Sequence, residues 1–231
     1  MPEVTHSQLL STFAHDLRQP LRSIAMQAQR IQRQDPALSE DTKTRLEEIL
    51  RAARKQDELI ASVMEYDQAQ ENAIDQTRSL PLNLAIQSAC LKVEAFRKQC
   101  EGTIHFEIGP TPTFAVPIVL TKVLEKVLHN ALKFRSPGCN PVVDIEAGGE
   151  PQGECRIAIR DNGLGIDQQY RMTVFEPFQK LNSPADYAGS GMGLAISRRI
   201  MESIGGRIAV EARPDSAPGV VIAIHVPLHS R

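Results

Sequence analysis

The sequence predicts two domains of different class: an all-α helical hairpin over residues 1–75, then an α/β two-layer sandwich over residues 76–231. Three observations carry this. Leu10, Ala14, Leu17, Leu21, Ile24, Ala28 and Ile31 follow one another at alternating spacings of four and three, a heptad seam that keeps one apolar stripe towards a partner helix. All 14 glycines lie beyond residue 100, a composition shift that sets the domain boundary near residues 72–80. Past that boundary, helical and strand-like patterns alternate.

The first helical run breaks at Asp35-Pro36, and Ser39 or Asp41 can cap the second. The second run places Leu46, Ile49, Ala53, Ile60 and Val63 in similar phase, with Gln56 interrupting. Two helices cannot each bury such a stripe on the other alone. Two hairpins side by side can, so the segment is expected to form a homodimer through a dimeric four-helix bundle. Further along, residues 82–98 read as a helix and Thr103–Ile108 as a strand. Ile118–Phe134 reads as a helix with Leu120, Val123, Leu124, Val127 and Leu128 on one side. Val142–Ala147 and Cys155–Arg160 read as short strands, Leu194–Ile204 as a helix, and Arg207–Ala212 with Val220–Val226 as a closing hairpin. Helices and mostly antiparallel strands in this order form a two-layer sandwich.

Composition narrows the function. The chain has 231 residues, 42% hydrophobic and 23% charged, which excludes disordered and fibrous classes. Its 26 basic and 28 acidic residues give a net charge of −2, so bulk electrostatics offer nothing to nucleic acid. Residues 1–75 hold 9 basic and 13 acidic groups and the remainder 17 and 15, so neither half is polarised enough to name a charged ligand. No apolar run approaches the roughly 20 residues of a membrane span, and the N-terminus lacks a signal peptide's apolar core. Cys90, Cys100, Cys139 and Cys155 are scattered, which argues against a zinc site or a disulfide framework. The expected compartment is the reducing cytoplasm.

Four segments carry chemistry. Asp161-Asn162-Gly163-Leu164-Gly165 follows a strand; its carboxylate can accept a hydrogen bond from a flat ligand that the glycines let close, although tight turns share the pattern. Gly189-Ser190-Gly191-Met192-Gly193 opens a helix, where unpaired N–H groups and the helix dipole suit phosphate. Asn130 and Lys133 lie one turn apart on a helix; an amide oxygen can coordinate Mg2+ and an ammonium can pair with phosphate. In Phe13-Ala14-His15-Asp16-Leu17-Arg18-Gln19-Pro20-Leu21, His15 falls off the apolar seam. Asp16 can hold its imidazole during nucleophilic attack, and Pro20 removes a backbone donor just beyond.

Together these residues resemble the catalytic core of a bacterial sensor histidine kinase, over nearly the whole chain. His15-Asp16-Leu17-Arg18-Gln19-Pro20-Leu21 is similar to that family's phospho-acceptor box. Asn130-Ala131-Leu132-Lys133-Phe134 resembles its N box, and Asp161-Asn162-Gly163-Leu164-Gly165 its G1 box. Phe175-Glu176-Pro177-Phe178 resembles its F box, and Gly189-Ser190-Gly191-Met192-Gly193-Leu194 its G2 box. Lys133-Phe134-Arg135-Ser136-Pro137 also looks like kinases linked to phytochrome or PAS sensors.

The resemblance implies a dimerisation and histidine-phosphotransfer domain joined to a Bergerat-type (GHKL) ATP-binding domain. It implies that Asp161 accepts the adenine amino group, with Gly163 and Gly165 admitting the base. Asn130 would hold Mg2+, Lys133 would contact phosphate, and Gly189, Gly191 and Gly193 would free the backbone around the triphosphate. Residues from about Asp167 to Ser190 would form an ATP lid anchored by Phe175 and Phe178. His15, partnered by Asp16, would take the γ-phosphoryl group and pass it to an aspartate of a response-regulator receiver domain. The input would come from a sensor domain or separate protein outside this chain.

Four positions depart from the family pattern. Lys126 stands where the family carries Asn, Glu or His; it either meets phosphate directly or weakens Mg-ATP binding. Val116 stands near a usual Asp, and the last glycine motif is reduced to Pro218-Gly219-Val220-Val221. Gln19 holds the place where Thr or Asn commonly supports phosphatase activity. The alternative is a catalytically weak or inactive dimeric phosphotransfer or receiver-docking module. A gyrase- or chaperone-type ATPase ranks last, since it gives no role to the hairpin and Glu125 is one position out of register for activating water.

Overall fold

The computed structural model describes residues 6–35, 37–71, 79–108, 114–150, 153–181, 187, 189–213 and 217–228. The chain divides into two compact units, Met1–Gln68 and Ala69–Arg231. The expected boundary at 72–80 falls largely on residues outside the described set, as does Pro36.

The first unit is a hairpin of α1 (His6–Gln34) and α2 (Glu40–Glu71). Ser39 is the cap of α2: its Oγ accepts the Thr42 N–H at 3.2 Å, and Glu40 and Asp41 follow in the first turn, where acidic groups suit the helix dipole. Ser39→Ala should therefore destabilise the hairpin by about 1 kcal/mol, read by urea unfolding followed by far-UV circular dichroism. The heptad seam of α1 splits into two rails. Ala14 and Ala28 are buried, and Ala28 packs with Leu46 and Leu50 of α2. Leu17, Ile24 and Ile31 stay about half exposed, at 57%, 51% and 48%. Arg18 Nε donates to Asp57 Oδ1 at 3.0 Å, tying the helices together. Pro20 lies within α1, so the Asp16 carbonyl lacks its usual donor four residues on.

The second unit is an α/β sandwich. Its five-stranded sheet has the order β2 (Thr103–Ile108), β4 (Val142–Glu150), β5 (Glu154–Asp161), β7 (Val221–Pro227), β6 (Arg207–Glu211). Only the β2–β4 pairing in this sheet is parallel. A separate two-stranded ribbon pairs β1 (Ser79–Pro81) with β3 (Ala115–Pro117), Leu80 opposite Val116. Helices α3 (Leu82–Gln99), α4 (Leu120–Lys133) and α5 (Gly193–Ser203) complete the unit.

Alternation on β5 divides the two sides of the sheet. Cys155, Ile157 and Ile159 are buried, whereas Arg156 and Arg160 point the other way and pair with Glu211 and Glu146. The middle helix, α4, buries Leu120, Val123, Leu124, Val127, Leu128, Ala131 and Leu132, a spacing of three and four that gives one apolar face. Each fully buried leucine contributes about 1.5–3 kcal/mol. With that face committed to the core, the remaining face of α4 is left for polar work. Among the described residues no helix is long and apolar enough to cross a membrane.

Candidate functional site

A cavity of about 400 Å3 opens beside α4, with Ile159, Asp161 and Ile222 from the sheet, Val220 just ahead of β7, and Gly189, Ser190, Gly191, Gly193 and Leu194 from the glycine-rich segment in its wall. Asn130, Lys133, Asp161, Gly165, Gly189, Gly191 and Gly193 all line it, so residues more than 60 positions apart in the chain converge on one space.

Asp161 ends β5 and is 7% exposed. Its Oδ1 accepts the N–H of Gly163 at 2.9 Å and of Val220 at 3.2 Å. Burial pushes the carboxyl up to about 6, against the downward pull of those two N–H groups and of Arg213. Arg213 Nη1 donates to the Asp161 carbonyl at 2.6 Å and to that of Pro218 at 3.1 Å. Gly219 closes the knot: with φ +111°, a Cβ there would run into the Asp161 carbonyl and come within 3.0 Å of its Oδ1. The reduced glycine motif seen in the sequence is thus the clamp on the buried carboxylate.

Lys133 is half-buried and its Nζ lies 4.5 Å over the Phe134 ring. Burial first, and the Lys180 ammonium second, hold its pKa below the usual lysine value. Its Nζ sits 2.7 Å from where a Cβ on Gly189 would be, and Gly193 comes 3.8 Å from Asn130 Nδ2 by the same measure. The glycine segment and the polar face of α4 are therefore in direct apposition. At the mouth of α5 no side chain caps the helix, while Ser190 Oγ accepts the Met192 N–H at 3.3 Å. Free N–H groups at such a terminus suit an anion.

Gly163, expected to admit the base, and Phe175 and Phe178, expected to anchor the lid, do not line the cavity. Gly163 is packed under the end of α4, where a Cβ would collide with the Phe134 carbonyl, and Leu164 N–H donates to that same oxygen at 3.0 Å. Phe175 closes a 3-10 turn (Thr173–Phe175) and is only 5% exposed. Phe178 has φ +64° and a ring 55% exposed; its backbone carbonyl abuts Gly191, so its connection to the site is through main chain. Residues 182–186 and 188 of the expected lid lie outside the described set. Conversely, Lys92, Lys180 and Tyr187 line the cavity without having been picked out from the sequence. Tyr187 donates to the Arg135 carbonyl at 2.8 Å and its ring lies 5.3 Å from that of Phe134.

His15 and Asp16 belong to the first unit. Both are exposed, and His15 Nδ1 lies 3.2 Å from Asp16 Oδ1. Asp16 as acceptor keeps a proton on Nδ1 and leaves the Nε2 lone pair outward. His15, Arg18, Gln19 and Arg22 of α1 face Ala61, Met64, Glu65 and Gln68 of α2 across a shallow groove.

Comparison with known proteins accords with this geometry. Residues 115–230 match the family model of histidine kinase-, DNA gyrase B- and HSP90-like ATPases, and residues 5–72 that of the His kinase A (phospho-acceptor) domain. The phytochrome-like protein Cph1 of Synechocystis sp. is 30% identical over 209 residues, 87% of this chain and 26% of that protein. The sensor histidine kinase CpxA of Escherichia coli is 25% identical over 98% of this chain and 48% of its own length. The chain thus spans between about a quarter and a half of these relatives. Full-length ShkA in complex with AMPPNP shares the fold, with a TM-score of 0.73 at 20% identity over 98% of this chain and 47% of that one. The mycobacterial sensor histidine kinase MprB gives a TM-score of 0.54 at 30% identity, over 67% of this chain and 99% of that one. With a phospho-acceptor segment bearing the His15–Asp16 pair ahead of an ATPase domain whose cavity gathers Asp161, Asn130, Lys133 and the glycine segment, the chain belongs to the histidine kinases and corresponds to their catalytic core.

Proposed function

We propose that this chain binds ATP in the α4 cavity, transfers the γ-phosphoryl group to His15, and passes it on to an aspartate of a response-regulator receiver domain. The phosphotransfer domain would occupy residues 1–75 and the ATP-binding domain residues 76–231. The observation that carries this is the convergence of Asp161, Asn130, Lys133 and Gly189–Gly193 on one cavity. A structural neighbour solved with AMPPNP supports the nucleotide assignment.

In the transfer, the outward Nε2 lone pair of His15 attacks the γ-phosphorus. An N–P bond forms as the bond from phosphorus to the β–γ bridging oxygen breaks, and ADP leaves. The imidazole becomes cationic, and Asp16 at Nδ1 offsets that charge. Asp161 accepts the adenine amino group, and Lys133 with the N–H groups at the start of α5 draws charge from the phosphates. Positioning and charge neutralisation supply most of the catalysis in phosphoryl transfers. Mg2+, when bound, adds charge neutralisation at the phosphates, and the Asn130 amide oxygen suits it as one ligand. The half-exposed rail of Leu17, Ile24 and Ile31 supports a homodimer, since a second copy of α1 and α2 would cover it.

Incubating the chain with Mg2+ and γ-labelled ATP tests the proposal. Acid-labile, base-stable label is expected on the wild type, absent from His15→Ala and lowered at least about tenfold in Asn130→Ala. Nucleotide binding without label would favour a docking module instead. Absence of both label and nucleotide binding would overturn the proposed activity.

A further inference from the structure

The cavity wall is far more cationic than a chain of net charge −2 foretells. Lys92, Lys126, Lys133 and Lys180 line it, against the carboxylates of Glu125 and Asp161. Both carboxylates are already engaged: Glu125 Oε2 accepts from Lys92 Nζ at 3.0 Å, and Asp161 sits at the floor with its Oδ1 held by the Gly163 and Val220 N–H groups. Lys126, Asn130 and Lys133 are spaced i, i+4 and i+7, so all three project from one face of α4 onto the cavity. Against the glycine segment that face presents the neutral amide of Asn130, with Nδ2 nearest Gly193. Among the described residues no group of three His, Cys, Asp or Glu could hold a metal.

Ammonium groups do not ligate cations; they pair with phosphate oxygens through charge-assisted hydrogen bonds. Several of them around one half-enclosed space raise the cost of a further divalent cation and lower that of bare phosphate. We infer that Lys126 contacts the nucleotide's phosphate chain directly and neutralises charge that a divalent cation would otherwise neutralise, so that metal-free ATP binds this chain about as tightly as Mg-ATP. The inference rests on the nucleotide assignment of the cavity. It concerns nucleotide binding, not the transfer step.

Isothermal titration of the full chain with ATP in EDTA, with Mg-ATP and with adenosine tests it. The two ATP forms are expected to bind the wild type within about fivefold of each other. Lys126→Met should weaken metal-free ATP by about 10- to 100-fold, the loss of one charged hydrogen bond, and leave adenosine binding unchanged. Lys126→Glu should make ATP binding depend on Mg2+; if that variant fails to fold by circular dichroism, the methionine variant still decides. Loss of more than about fivefold on adding EDTA to the wild type, or metal-free ATP binding to Lys126→Met as it does to the wild type, overturns the inference. Adenosine binding in either case shows that the nucleotide assignment survives. If neither adenosine nor ATP binds, both fall together.

Discussion

Asp161→Asn should abolish nucleotide binding and, at the same time, make the ligand-free chain harder to unfold. The carboxyl is held near 6 in the fold against an ordinary value of 3.8, a gap that corresponds to about 3 kcal/mol against folding at neutral pH. The sign follows from proton release. Below about pH 4 the group is protonated in both states and no penalty exists. Between about pH 4 and 6 the unfolded chain gives up its proton first, so stability falls through that window. An asparagine keeps an oxygen for the Gly163 and Val220 N–H groups but carries no charge to bury. Thermal unfolding of the variant should lose its slope between pH 4 and 6 and show a midpoint about 5–10 °C higher at pH 7.5. Nucleotide affinity should move oppositely, falling about 100-fold or more, because an amide NH2 would face the adenine amino group, donor against donor. In the wild type, affinity should rise with pH up to about 6 and then level. A variant that loses stability and keeps nucleotide would refute this account of Asp161.

Gly219→Ala is expected to be the more damaging substitution. Its φ of +111° is strained for any L side chain, and the added Cβ would overlap the carbonyl oxygen of Asp161. That oxygen cannot retreat freely, since it accepts from Arg213, and the Asp161 N–H is itself bonded to the Val220 carbonyl at 3.0 Å. Strain plus disrupted hydrogen bonds should cost about 3 kcal/mol or more, visible as a lowered midpoint in chemical denaturation. Nucleotide affinity should drop as well, because the carboxylate and the Gly219 backbone move as one. Gly138→Ala is the control: its φ is also positive, at +76°, but nothing lies within 4 Å of the added Cβ, so only the backbone penalty of about 1 kcal/mol is expected.

The parts of this molecule that could be read from sequence are those whose signal is local and periodic. The heptad of α1, the apolar face of α4 and the strand ahead of Asp161 each repeat over enough residues to be recognised. Even there the seam hid something: one stripe proved to be two rails, with Ala14 and Ala28 inward and Leu17, Ile24 and Ile31 half exposed. The β1–β3 ribbon could not be read, because three residues per strand, each ending in proline, carry no period. The clamp on Asp161 was hidden for another reason. Gly219 lies 58 positions away and meets it only because β5 and β7 are neighbours in the sheet. Lys92 and Lys180 reach the cavity from α3 and from the segment past the Thr173–Phe175 turn, and neither has a motif around it. Gly163 has a packing role that its motif did not disclose. The motif pointed to a ligand, and the structure adds that the Phe134 carbonyl fills the space that the missing side chain leaves.

The knot around Asp161 also divides the kinetics of the site. Gly163, Val220, Gly219 and Arg213 fix the Asp161 end of the cavity before any ligand arrives, so a base docking there, as proposed, would have little to reorganise. At the other end, Gly189 and Gly191 hold positive backbone angles of +142° and +75° against Lys133 and Phe178, and it is this segment that would wrap the phosphates. The lysines of the wall should draw ADP and ATP in faster than adenosine. Residence time is expected to follow the phosphates as well, so the three ligands should part company in both rates.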